Sequence, residues 1–247
     1  MSPISESLLF TKSSSLLFGA LFILLPAVPA FGQEAGADAS TNPCGSLENA
    51  YGPFDYRTDK QSLKIVEHAH FPKQVESLSR GNSSTVGADI DYTLRAAPNH
   101  HRALKAMARL AEKLKQDQPP GAHYPVECYF ERALRFRPND TTARLIYVNF
   151  LASRNRNDEA LQQTDIAASF SQDYPIVHYN IAITYFSLKA YGKSAAETQK
   201  AAQLGVSMTE LTEKLKALGY PVGNTASPAG VAASANSSPA SSAAGDK

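Results

Sequence analysis

The chain has 247 residues, 43% of them apolar and 19% charged, with a formal net charge of +1 at pH 7. That length suffices for one compact domain with appendages, or for two. The balanced charge lacks the basic excess that binding to nucleic acid or an anionic membrane surface normally leaves, so neither is expected as a partner.

In residues 1–30, Lys12 precedes an apolar run over 16–28, and Val28-Pro29-Ala30 offers a small-x-small cleavage site. This pattern predicts a cleaved export signal. The alternative is a signal anchor, but 13 apolar residues fall short of the roughly 20 needed to span a bilayer. Pro26 and Pro29 also interrupt the run's end. Export without membrane insertion after cleavage is therefore expected. Residues 31–43 follow, mostly small and polar (QEAGADASTNP over 33–43), and read as a disordered linker.

Residues 44–100 read as an N-terminal helical segment ending in half a repeat. Cys44 and Cys128 are the two cysteines. In an exported protein they can pair, or Cys128 can sit alone as a small buried hydrophobe; spacing leaves both open. The stretch YGPFDYR over 51–57 has three aromatics, Tyr51, Phe54 and Tyr56, without helical spacing. They pack either on the chain's own helices or on a partner, as a second interface. Helical patterning starts near Asp59, with Leu63, Ile65 and Val66 read as one face; Pro72 opens a short helix through Leu78, closed by Gly81. Residues 82–85 read as a turn, and 89–97, followed by Pro98, as a further helix. A helix over 100–115 carries Leu104, Met107, Ala108, Ala111 and Leu114 at helical spacing. A surface loop over 116–124 leads into another helix over 125–138.

Two blocks of 34 residues, 141–174 and 175–208, lie back to back in one register. Pairs that distance apart are apolar or small throughout: Tyr147 and Ile181, Val148 and Ala182, Leu151 and Tyr185, Ala160 and Ser194, Ala167 and Ala201. Such a period marks a helix–turn–helix solenoid. The chain here resembles the tetratricopeptide repeat family in a degenerate form. Arg144 and His178 stand at that family's early tryptophan, Thr164 and Thr198 at its usual aromatic, and Gln172 at its closing proline. The resemblance implies an all-α, right-handed solenoid of about three repeats over 101–140, 141–174 and 175–208. Within the 101–220 domain, a capping helix over 207–218 starts with Ser207 and Glu210 as a capping box and carries Lys214 and Lys216 outward. Residues 221–247, rich in Ala and Ser, read as a disordered tail.

Five side chains, Glu67, His68, His70, His100 and His101, could ligate a metal if they converged. Residues two apart on a helix diverge, however, and the bland reading is surface histidines or one hydrogen-bonded at a helix end. Asp89 and Asp91 read as helix-start acids. No nucleophile elbow, H-E-x-x-H motif or phosphate-cradling glycine loop occurs, and no C-x-x-C-H for haem, so the sequence asks for neither catalysis nor a cofactor. The family resemblance implies instead a concave groove for a protein or peptide. It would be lined by Arg102, Lys105 and Arg109, then Leu145, Ile146 and Asn149, then Tyr179, Asn180, Ile183 and Phe186. A basic rim with an apolar floor suits a peptide with an acidic end and apolar anchors. Asn149 and Asn180 look like the asparagines of that family's carboxylate-clamp subset, while Leu145 and Ile176 replace its lysines. The Arg102, Lys105 and Arg109 row can equally be a solvated face. The sequence thus reads as a periplasmic scaffold.

Overall fold

The computed structural model describes residues 42–172 and 174–223. The export signal, most of the linker and most of the tail lie outside the described residues. Among those described, the fold is all-α: ten helices and no strand. They are α1 (Lys60–His70), α2 (Lys73–Glu76), α3 (Val86–Ala96), α4 (His101–Leu114), α5 (Val126–Phe136), α6 (Thr141–Ser153), α7 (Asn157–Ser169), α8 (Pro175–Ser187), α9 (Tyr191–Gln203) and α10 (Thr209–Ala217). None is long and apolar enough to cross a membrane.

Helices α4 to α9 form three successive hairpins. α4 packs on α6 and α6 on α8, so the first helices of the hairpins make one row, and α10 packs on α9. The apolar pairs read from the 34-residue register line the interiors. Val148, Leu151, Ala160, Ala167, Ile181, Ala182, Tyr185, Ser194 and Ala201 are all buried. Small residues bring the second helix close enough for the Ser194 hydroxyl to donate to the Ala182 carbonyl at 2.8 Å. The repeat is also written in the backbone. Each first helix closes with a residue in the left-handed region, Lys115, Asn155 and Lys189, at φ of 53°, 60° and 61°. In each case the next amide donates back to the carbonyl five residues earlier: Gln116 to Ala111, Arg156 to Leu151, Ala190 to Tyr185. This is the closing bond of a Schellman turn, which satisfies a carbonyl the helix leaves orphaned.

The main core joins α2 to α6, with Phe71, Val75, Ile90, Leu94, Leu104, Met107, Tyr129, Phe130 and Phe150 among its members. A smaller terminal core joins Ala182, Ala201, Met208, Leu211 and Leu215.

Several expectations are corrected. Ile65 is 67% exposed, so only Leu63 and Val66 form the buried face of α1. Leu114, at the end of α4, is 41% exposed, while Ala111 in the same turn is buried. Helix α2 stops at Glu76, since Leu78 turns left-handed (φ 60°) to drop into the core. The capping box on Ser207 does not form: α10 starts after Met208, whose side chain is buried, and Ser207 contacts Thr209 instead. The 116–124 loop is mostly exposed, as expected, but it is also anchored on the fold. Ala122 is buried, and Pro120 lies against Gly87 so closely that a Cβ there would meet its carbonyl oxygen at 2.2 Å.

Candidate binding cleft

The third hairpin is apolar along α8, and its solvent face is only partly covered. Pro175 at the first position presets the helix. Tyr179, Ile183 and Phe186 then recur at spacings of four and three on one side. α10 approaches that side with Met208 and Leu211, leaving a cleft of about 390 Å³ rimmed by Ser207, Thr209, Glu210 and Lys214. Tyr179 and Phe186 are half-buried against the terminal core, while Ile183 is 42% exposed. The rim is electrically neutral, since Lys214 pairs with Glu210 at 2.6 Å. The cleft therefore offers apolar area, and its chemistry is to take a side chain out of water.

A second, smaller notch of about 240 Å³ lies between α4 and α6. Ala108, Ile146 and Phe150 floor it, and Lys105, Arg109 and Asn149 stand at its mouth with Glu112 and Arg154. Arg154 is held by Asp117 at 2.7 Å.

The expected groove residues thus divide. Lys105, Arg109 and Asn149 share the notch, and Tyr179, Ile183 and Phe186 share the cleft. Arg102 joins neither, because its guanidinium donates to Glu76 at 2.8 Å and lies over the Phe71 ring. The Glu76 hydrogen bond raises the guanidinium pKa and correspondingly lowers that of Glu76. Leu145 is packed between hairpins, against the clusters of Leu151 and Tyr185. Asn180 is exposed and lines neither cavity. Met208 and Leu211 were not expected in the lining; the apolar spacing of the capping helix was the signal for them.

The histidines do not converge; they disperse onto separate carboxylates. His70 meets Asp89 at 3.0 Å, His100 meets Glu67 at 3.0 Å, and His101 meets Asp140 at 2.9 Å. His123 meets Asp91 at 2.8 Å and His178 meets Glu197 at 2.6 Å. Among the described residues, no three potential ligand atoms drawn from Glu67, His68, His70, His100 and His101 come together. Each pair ties together segments 19 to 39 residues apart in the chain. His100 is fully buried, its Nδ1 accepts from the Ala103 N–H as the N-cap of α4, and its Nε2 therefore donates to Glu67. Burial pushes its pKa down, which keeps the ring in that neutral form. The hydrogen bond from His100 lowers the Glu67 carboxyl in turn.

Asp89 lies in the first turn of α3, as expected, while Asp91 sits a turn further in; both are buried, at 0% and 1% exposed, rather than surface acids. Asp89 gathers the backbone N–H groups of Asn82, Ser83 and Ser84, and Asp91 holds Arg95, His123 and the Tyr129 hydroxyl. They anchor loops.

The 51–57 aromatics pack on the chain itself. Tyr56 lies 4.2 Å from the His100 ring and 5.0 Å from that of His101, and Tyr51 meets Phe54 edge-on at 4.9 Å. Beneath them, Asn99 is fully buried and donates to Asp55 at 2.8 Å and Asp140 at 2.7 Å while accepting from the Tyr56 N–H. Burial would raise the Asp55 carboxyl, but hydrogen bonds from Arg57, Asn99 and Arg137 outweigh it and hold the group far below the usual range. Cys44 and Cys128 form a disulfide, which pins residue 44 to α5.

No family model matches the sequence. No curated protein matches it either.

Proposed function

We propose that this chain is an exported, non-catalytic scaffold of tetratricopeptide type. It binds a protein or peptide partner along the row of first helices, with the periplasm as its working compartment. The observation that carries the reading is the cleft between α8 and α10, where exposed Ile183 and half-buried Tyr179 and Phe186 present apolar area beside the buried Met208 and Leu211. Exposed aromatic and aliphatic side chains grouped in a concavity are the usual anchors of a protein contact. The notch between α4 and α6 supplies Lys105 and Arg109, which set orientation and association rate for a partner with an acidic end.

Two other readings find less support. A subunit docked through the 51–57 aromatics would need those rings free, and they stack on His100, His101 and one another. A histidine-dependent metal accessory would need converging ligands, and each paired histidine faces its own carboxylate.

The test is crosslinking of the full tagged chain in its native envelope beside Ile183→Asp and Arg109→Glu variants. The scaffold reading expects one specific crosslinked partner, lost with Ile183→Asp and weakened with Arg109→Glu. A partner kept by both variants would move the interface elsewhere on the molecule.

A further inference from the structure

Residues 42–48 lie across α5 as a strap, and the way they are held is unusual. Arg132 of α5 is 1% exposed, yet no carboxylate among the described residues pairs with it. Its Nη1 donates to the carbonyls of Cys44 (3.0 Å) and Ser46, Arg135 donates to that of Gly45 at 2.8 Å, and the Arg132 Nε has no partner. The Arg132 guanidinium also lies over the Tyr124 ring, 4.9 Å from its centroid, with Gly45 pressed on the same ring. Burial pushes the Arg132 pKa down, outweighing the attraction of Tyr124, Tyr129 and Asp91. The strap's carbonyl bonds are charge-assisted, but they come with the desolvation of a cation that hydration would relieve once the strap lifts. The one covalent tie is the Cys44–Cys128 bridge, with Cys44 4% and Cys128 9% exposed. Glu131 stands beside it, Oε2 2.8 Å from the Cys44 sulfur and Oε1 accepting from Asn42, placed to accept the S–H that reduction would create. From Asp55 onward the segment is secured independently by Asn99, Arg57 and Arg137.

We propose that the Cys44–Cys128 bridge is a redox latch whose reduction by a dithiol frees residues 42–48 from α5 and bares the Arg132 guanidinium, with the rest of the fold intact. The dithiol's two sulfurs become a disulfide as the Cys44–Cys128 bond breaks, and its two protons end on the released thiols. This inference does not depend on the binding cleft.

The experiment labels the full chain with an arginine-selective dicarbonyl reagent, before and after dithiol treatment, and locates the adducts by mass spectrometry. Arg144 on α6, 6% exposed and bonded to Pro138 and Gln163, serves as an internal reference for global unfolding. The expected result is Arg132 protected when oxidised and modified when reduced, with Arg144 protected in both. A Cys44→Ser, Cys128→Ser double variant should label at Arg132 without reductant. Continued protection of Arg132 after complete reduction would overturn the latch. So would modification of Arg132 and Arg144 together, since the bridge would then staple the whole fold.

Discussion

Asn99 is fully buried, and every polar atom of its side chain is used. It stands between two buried carboxylates, Asp55 and Asp140, and uses both amide hydrogens and its oxygen. Asn99→Ala would leave two carboxylates and the Tyr56 N–H short of partners in a dry site, a loss of about 3–5 kcal/mol. A shift in the urea midpoint at unchanged slope measures it, and a loss under about 1 kcal/mol would mean that water replaces the amide. His100 adds a pH dependence with a definite sign. Its folded pKa lies below the ordinary 6.5 because of burial, so the unfolded chain takes up the proton first. The stability it contributes is fully present above pH 6.5 and is lost as pH falls below it. The stability difference between wild type and His100→Gln should therefore shrink between about pH 7 and about pH 5. A constant difference across that range would show that the ring titrates alike in both states.

At the scale of elements, the three first helices close on Lys115, Asn155 and Lys189, each in a conformation that a Cβ disfavours. Lys189→Gly should relieve that strain, stabilising by up to about 1 kcal/mol despite glycine's greater freedom in the unfolded chain. Thermal melting reads it, and a lower melting temperature would show that the lysine side chain matters more than the backbone. Gly87 is the opposite case, because Pro120 occupies the place of a Cβ. Gly87→Ala should cost about 1–3 kcal/mol and free the 116–124 loop. Unchanged stability in urea would show that the loop can back away. The hairpins themselves were legible in the sequence, because period and burial coincide from Val148 to Ala201. What escaped depended on partners distant along the chain. Arg102 is drawn from the groove by Glu76 in α2, Asp91 is held by Tyr129 in α5, and Leu114 stays exposed on a turn whose Ala111 is buried. Helical spacing shows which residues share a face, and it is silent on what covers that face. The cleft was half legible for the same reason. The register gave Tyr179, Ile183 and Phe186, but Met208 and Leu211 enter only because α10 turns back onto α8.

Across the described fold, stability should fall toward the C-terminal end. The core of α2 to α6 interlocks aromatic and aliphatic side chains such as Phe71, Met107, Tyr129 and Phe150, and is overlaid by the Asp55–Asn99–Asp140 knot and a disulfide. The terminal core consists of two alanines, Met208, Leu211 and Leu215, with half-buried neighbours; the buried His178–Glu197 pair ties α8 to α9, but among the described residues no disulfide reaches α8 to α10. In a stack where each unit contacts only its neighbours, a weak terminal interface opens without the rest. Native-state hydrogen exchange should then show amides of α8 to α10 exchanging through a partial opening, at lower free energy than those of α3 to α6. Leu215→Ala, which hollows the terminal core, should lower protection in α8 to α10 by about 2–4 kcal/mol and leave α3 to α6 unchanged. Equal protection from α3 to α10 would mean that the hairpins unfold as one. The gradient bears on the proposed binding, because the cleft is built from the elements that open most readily. A partner seated between α8 and α10 would close that opening, and its affinity would appear as added exchange protection there and nowhere else.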